Sequence, residues 1–206
     1  MPILIGEKPG PDFRDPLGLL TDCHRRIEKF LDVLGIVSHR TQGRELEAEH
    51  RQALDVSLRY FRESAPRHAA DEEESLFPRL LSERRPESGR IRTIIELLNR
   101  EHRSLDDGHK EIDELGCRWL SDGRLAAPEV RRFMALVGEV RGVYRRHIAQ
   151  EESELFPLAV SVLNAEDLPA IADEMARRRG LVIGKTRTYK LSRPNERLLA
   201  FIDPGS

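Results

Sequence analysis

The sequence predicts an all-α fold, an up-down-up-down four-helix bundle followed by a short C-terminal helix and an irregular tail. Three observations carry this expectation. Charged residues make up 34% of the chain and aromatics 5%, the balance of long solvated helices rather than of a β-rich sandwich. Apolar residues recur at steps of three and four in four separate stretches, which gathers them on one face of each helix. The segment HAADEEESLFP at 68–78 returns as HIAQEESELFP at 147–157, identical at 7 of 11 positions, so two of the helices share one local design.

The first helix opens on Asp15 and Pro16, an N-cap residue followed by a first-turn proline, and its inward stripe reads Leu17, Leu20, His24, Ile27, Leu31 and Leu34. The second pattern starts after Gly43 and runs Leu54, Leu58, Phe61, Ala65, His68, Glu72, Leu76. Pro86-Glu87-Ser88-Gly89 breaks the chain, and a third stripe follows with Ile91, Ile94, Leu98, His102, Leu105, His109 and Ile112, fading near Gly116. The fourth opens at Pro128 and carries Val130, Phe133, Val137, Val140, Tyr144, His147, Glu151 and Leu155. Pro78 and Pro157 fall at matching points of the repeat, where a missing backbone donor is expected to kink or end each helix. A fifth short helix is expected over 166–179, and weak alternation from Lys185 to Leu191 leaves the tail unassigned. The expected division is an N-terminal extension at 1–14, the bundle at 15–163, and a short helix with its tail at 164–206.

A formal net charge of -2 with acidic and basic residues interleaved offers no footprint for nucleic acid or an anionic membrane surface. No apolar run approaches the length that spans a bilayer, and the opening residues lack the pattern of a signal peptide. Cys23 and Cys117 form no C-x-x-C pair and are expected to stay reduced, so a cytoplasmic location is the expectation.

Ligand-type residues interrupt every apolar stripe. His68 with Glu72, and His147 with Glu151, stand four apart and project from one helix face. His24 precedes His102 by nearly the same interval as His68 precedes His147. In a bundle all four imidazoles can meet at one depth with both glutamates. Buried glutamate is costly unless paired or bound to a cation, so the pattern itself points to metal, and the absence of thiols favours iron or manganese over structural zinc. Glu73 and Glu152 follow immediately and remain alternatives. Four residues lie closer to one helical turn than five do, which favours Glu72 and Glu151.

The tandem H-x-x-x-E, each followed by Leu-Phe-Pro, resembles the hemerythrin-like, or HHE cation-binding, family over roughly residues 15–160. Ferritin-like di-iron bundles use the opposite order, Glu-x-x-His, and no H-E-x-x-H motif is present. The resemblance implies two iron ions (Fe2+/Fe3+), with manganese as a possible substitute. It implies His24 and His68 on one ion, His102 and His147 on the other, Glu72 and Glu151 bridging, and an oxide or hydroxide completing the bridge. Dioxygen carriers of the family have a fifth histidine one turn beyond the place of His102, where this chain has Asp106. Either Asp106 ligates through oxygen or that ion keeps an additional open position. The four-histidine pattern resembles iron-sensing and nitric-oxide-responsive members more than oxygen carriers. The implied function is binding of a small diatomic ligand or peroxide in sensing, storage or detoxification; the alternative is an oxidoreductase acting on nitric oxide or peroxide, or assisting iron-sulfur repair. The electron donor is unspecified.

Around this set, Tyr144 is expected one turn from the metals, as an additional ligand, a hydrogen-bond donor to a bound oxygen species, a local redox residue or a plain core residue. His109 is two turns from His102, too far for the same ion. His39 and His50 are expected to be exposed, Cys23 to be a small core residue, Trp119 to plug one end of the bundle, and the outward members of Asp71 to Glu74 to be a solvated face.

Overall fold

The computed structural model describes residues 13–82 and 87–181, which form an all-α bundle with no strand among them. Helix α1 spans Pro16–Thr41. Asp15 caps it by accepting the Gly18 N–H at 2.9 Å, as the Asp-Pro start requires. It stops at Gln42 and Gly43, both at positive φ, and a Cβ on Gly43 would stand 2.1 Å from the Val130 side chain. Only glycine permits that crossing.

The second pattern is segmented rather than continuous. Helix α2 covers Ala48–Glu63 and α3 covers Ala65–Asp71, because Pro66 sits in the first turn after Ser64 and starts a new helix there. A five-residue π turn, Glu72–Leu76, follows, and then the short α4, Phe77–Leu81. Helix α5, Ser88–Asp122, continues well past Gly116, where the apolar stripe fades. Gly116 is instead a contact point, since an added Cβ would meet Leu58 at 2.6 Å. Helix α6, Ala127–Gln150, also runs into a π turn, Glu151–Leu155, and then α7, Phe156–Val162.

Pro78 and Pro157 therefore do not end their helices. Each follows a widened turn in which the N–H of Phe77 reaches the Glu72 carbonyl, and that of Phe156 the Glu151 carbonyl, five residues back. A proline ring crowds the carbonyl four residues before it, and a π turn accommodates the extra residue without breaking the rod.

Helices α1, α2, α5 and α6 are arranged so that each packs against two of the others. Their apolar residues form two separate clusters. One contains Ile27, Leu31, Leu58, Leu105, Trp119, Phe133 and Val140; the other contains Leu17, Leu20, Leu76, Phe77, Leu98, Leu155 and Phe156. Along every strand of the bundle the ligand-type residues fall between the two: His24 between Leu20 and Ile27, His68 and Glu72 between Ala65 and Leu76, His102 between Leu98 and Leu105, His147 and Glu151 between Tyr144 and Leu155. Trp119 is fully buried and its indole N–H donates to the Arg44 carbonyl, closing one end as expected.

Helix α8, Asp167–Arg178, matches the expected fifth helix and packs Leu168, Ile171 and Met175 inward. Arg79 donates two 2.9 Å bonds to the Glu174 carboxylate. Arg178 and Arg179 both reach the fully buried Asp71, at 2.9 and 2.6 Å. The Lys185 to Leu191 alternation and the rest of the tail lie outside the described residues, as do residues 1–12 of the N-terminal extension. No helix among those described is long and apolar enough to cross a membrane.

Candidate metal centre

All six expected donors converge. His24, Glu72 and Glu151 are completely buried, His68, His102 and His147 nearly so. Ligand atoms of His24, His68, Glu72 and Glu151 form one compact group, and those of Glu72, His102 and His147 form a second, with Glu72 common to both. The Glu72 carboxylate places Oε1 3.2 Å from His68 Nε2 and Oε2 3.3 Å from His102 Nε2. Glu151 does the same from the opposite side, with Oε2 3.1 Å from His24 Nε2 and Oε1 3.5 Å from His147 Nε2. Each glutamate thus presents one oxygen to each half of the site.

Glu73 and Glu152 do not join these groups. Glu73 Oε1 lies 2.6 Å from His102 Nδ1 and Glu152 Oε1 lies 2.9 Å from His24 Nδ1, so both hold the outer face of an imidazole. Glu101 takes the same role for His147 Nδ1 at 3.1 Å. The role of Glu101 is not visible in the spacing, although its place directly before His102 was the available clue. His68 Nδ1 is buried without a partner.

The arrangement is electrostatically incomplete on its own. His102 Nε2 and His147 Nε2 lie 3.1 Å apart, while the Nδ1 atoms of both rings lie against carboxylates; with both Nδ1 atoms donating to those carboxylates, two Nε2 lone pairs would face each other. His24 Nε2, His68 Nε2 and all four oxygens of Glu72 and Glu151 are buried without a hydrogen-bond partner. Leaving that many acceptors unsatisfied costs about 1–3 kcal/mol each, more for charged groups. Cations resolve the conflict. Two donors about 2.1 Å from one ion and at right angles lie about 3.0 Å apart, close to the spacings found here. The donor set of imidazoles and carboxylates without thiolate suits first-row transition metals.

Protonation in the bare site shows the same tension. Burial pushes His68 down to about 3 despite the adjacent Glu72. Burial also opposes charge on His24 and His102, but carboxylates outweigh it, holding His24 well above its ordinary value and His102 up at about 9. Burial would raise Glu72, yet His68, His102 and His24 hold it well below the carboxylate range.

Asp106 is exposed and belongs to neither donor group. It lines a cavity beside His102 together with Tyr144 and His109. Tyr144 is buried among apolar side chains, and its hydroxyl lies 2.9 Å from His109 Nε2 rather than within the donor groups. Burial lowers His109 to about 4 and raises the Tyr144 hydroxyl far above its usual value, so the pair is neutral. His39 is exposed as expected, whereas His50 is half-buried with an unpartnered Nδ1 atom. Cys23 is buried and Cys117 exposed, both as free thiols. The run Asp71 to Glu74 is not a solvated face throughout: Asp71 is buried against two arginines, Glu73 holds His102, and Glu74 meets Arg178.

Comparison with known proteins agrees with this geometry. The profile of the hemerythrin HHE cation-binding domain matches residues 15–159. A protein of Haemophilus influenzae described as uncharacterized is 26% identical over 169 residues, covering 81% of this chain and 91% of that one. The match spans all four main helices and both H-x-x-x-E segments, and the chain belongs to the hemerythrin HHE cation-binding family.

Proposed function

We propose that this chain is a non-heme di-iron protein that binds dioxygen, nitric oxide or peroxide in sensing, storage or detoxification. One observation carries the reading: six buried imidazoles and carboxylates face one another between two apolar clusters, and those of His24, His68, Glu72 and Glu151 keep polar atoms without a partner. His24 and His68 would hold one ion and His102 and His147 the other, with Glu72 and Glu151 shared. Iron, or manganese in its place, would supply redox chemistry and affinity for oxygen-type ligands. The metal-binding unit in this reading is residues 15–163, with α8 as an addition to it.

The chain's own residues do the rest. Glu152, Glu73 and Glu101 fix the tautomer and rotation of three imidazoles and raise the basicity of their Nε2 atoms. The apolar clusters exclude water from either side. The cavity that His102 lines together with Asp106, Tyr144 and His109 supports an external ligand on the His102 side. Asp106 stands exposed where a further imidazole is found in dioxygen carriers, and this supports ligand exchange over tight carriage. An oxidoreductase acting on nitric oxide or peroxide is the second reading, favoured by the His109 and Tyr144 pair, with the Tyr144 ring 6.4 Å from that of His147. Two free cysteines suit a reducing, cytoplasmic setting.

The test is metal analysis of the purified protein, with optical spectra before and after oxygen, nitric oxide and peroxide. Two ions per chain and ligand-dependent bands are expected, reversible for a binder and consumed with turnover for an enzyme. A chain that retains no transition metal would overturn both readings.

A further inference from the structure

A cavity of about 310 Å³ lies between α2, α3, α5 and α6. Its walls are mainly apolar, with Leu58, Phe61, Ala65, Leu105 and Ile112, while Ala69 leaves space next to them. His102 is shared between this cavity and the donor cluster. At about 30 Å³ for each water-sized group, the volume accommodates about ten non-hydrogen atoms, far more than a diatomic molecule needs. Apolar walls with a few placed polar groups are the usual make-up of a site for a small organic molecule.

The polar groups are arranged by depth. Tyr144 and His109 bond to each other at 2.9 Å, and His109 stacks on Phe61 at 4.5 Å between ring centroids. A phenolic oxygen engaged in one hydrogen bond still has capacity for another, so this neutral pair can receive a ligand hydroxyl. The acidic and basic lining residues Arg62, Asp106, Lys110 and Asp113 are exposed or half-buried. Arg62 and Asp113 neutralise each other at 2.7 Å, while Lys110 and Asp106 have opposite signs and make no ion pair among the described residues. Nothing in this balance selects a strongly charged ligand.

We propose that this cavity is a binding site for a small neutral organic molecule of about ten non-hydrogen atoms with one hydroxyl or hydroperoxyl head. The apolar body rests against Phe61, Leu58 and Leu105, and the head bonds to Tyr144, beside His102. The inference rests on the metal reading only for its use; the site itself is built from residues outside the donor set apart from His102. It narrows the ligand class from diatomic gases to organic alcohols or hydroperoxides.

The test uses the full-length, metal-loaded protein with 2-phenyl-2-propanol as the organic probe and azide as a probe of the metals. Binding of the alcohol is followed by protein NMR and calorimetry, and that of azide by its optical band. Saturable alcohol binding is expected, weakened at least tenfold by Ala69→Phe, which fills the cavity, and about fivefold by Tyr144→Phe, which removes one neutral hydrogen bond. Azide binding and metal content should be unchanged in Ala69→Phe. Absence of alcohol binding in a protein that takes two metals and azide would overturn the site and leave the metal reading intact, as would an alcohol affinity in both variants equal to that of the parent. Absence of metal and azide binding overturns the metal reading instead, and the alcohol titration by NMR on that same sample still decides the cavity. Cumene hydroperoxide in place of the alcohol distinguishes the two head groups, since the one that binds more tightly, with the loss in Tyr144→Phe, identifies the preferred class.

Discussion

Replacing Glu101 with glutamine isolates what a carboxylate behind an imidazole contributes. Glu101 is mostly buried, and its one recorded bond is to His147 Nδ1 at 3.1 Å. Glutamine keeps the size and one acceptor oxygen but removes the charge. The imidazole then loses a charged acceptor, its Nε2 becomes a weaker donor, and its rotation is less firmly fixed. Changes of this kind cost about 10–100-fold in metal affinity. That corresponds to about 1.4–2.7 kcal/mol at one of two ions. The assay is competition with a chelator of known affinity, followed by the metal released at each step. One ion should leave Glu101→Gln earlier than it leaves the parent, while the second is retained as before. The same measurement on Arg132→Ala, which disrupts an exposed pair with Glu111, serves as a control and should show no change. Equal release from Glu101→Gln and the parent, in a protein of unchanged helicity, would refute the claim that these carboxylates tune the metals.

Three further outcomes are expected. His68→Ala should lose at least one metal ion by elemental analysis, and full metal content would remove His68 from the ligand set. His109 is held at about 4 by burial, below its unfolded value of about 6.5. Its contribution to stability is therefore complete above about pH 6.5 and is lost as pH falls through about 4, a loss of about 3 kcal/mol that denaturant midpoints against pH should show and that His109→Leu should remove. Replacing Arg178 and Arg179 together by alanine leaves Asp71 buried without a cation and should cost about 3–5 kcal/mol in thermal or denaturant unfolding, with a loss under 1 kcal/mol counting against a structural role for α8.

The four main helices and the six donors were legible because both are written as periodic patterns. His68 and Glu72 sit where apolar residues belong on a stripe, and their repetition at His147 and Glu151 makes coincidence a poor account. Glu72 is buried against the imidazoles and Glu73 turns to the outer face of His102, the placement that the pitch of a helix gives residues four and five places after His68. What was hidden depends on contacts between helices. Glu73 is half exposed and reads as solvated, yet it meets His102 on α5; Asp71 reads as surface charge, yet α8 folds back to cover it with two arginines. Neither partner is near in sequence. Pro66 was in view, but the stripe passes through it without losing register, so the break at Ser64 left no mark on the apolar pattern. The π turns were hidden for a similar reason: proline signals a disturbance, and the backbone can answer it by widening a turn instead of stopping.

The division of the interior into two oily halves with a charged waist between them bears on how the molecule comes apart. Helices α1 and α5 run unbroken through both halves, and between the halves the remaining link is the layer of imidazoles and carboxylates at the waist. Filled with cations, that layer would tie the halves together more tightly than its own side chains can, since several of their buried polar atoms have no partner within the protein. Amide exchange near Leu17 and Leu98 on one side, and near Leu31 and Phe133 on the other, would then slow together as metal is added.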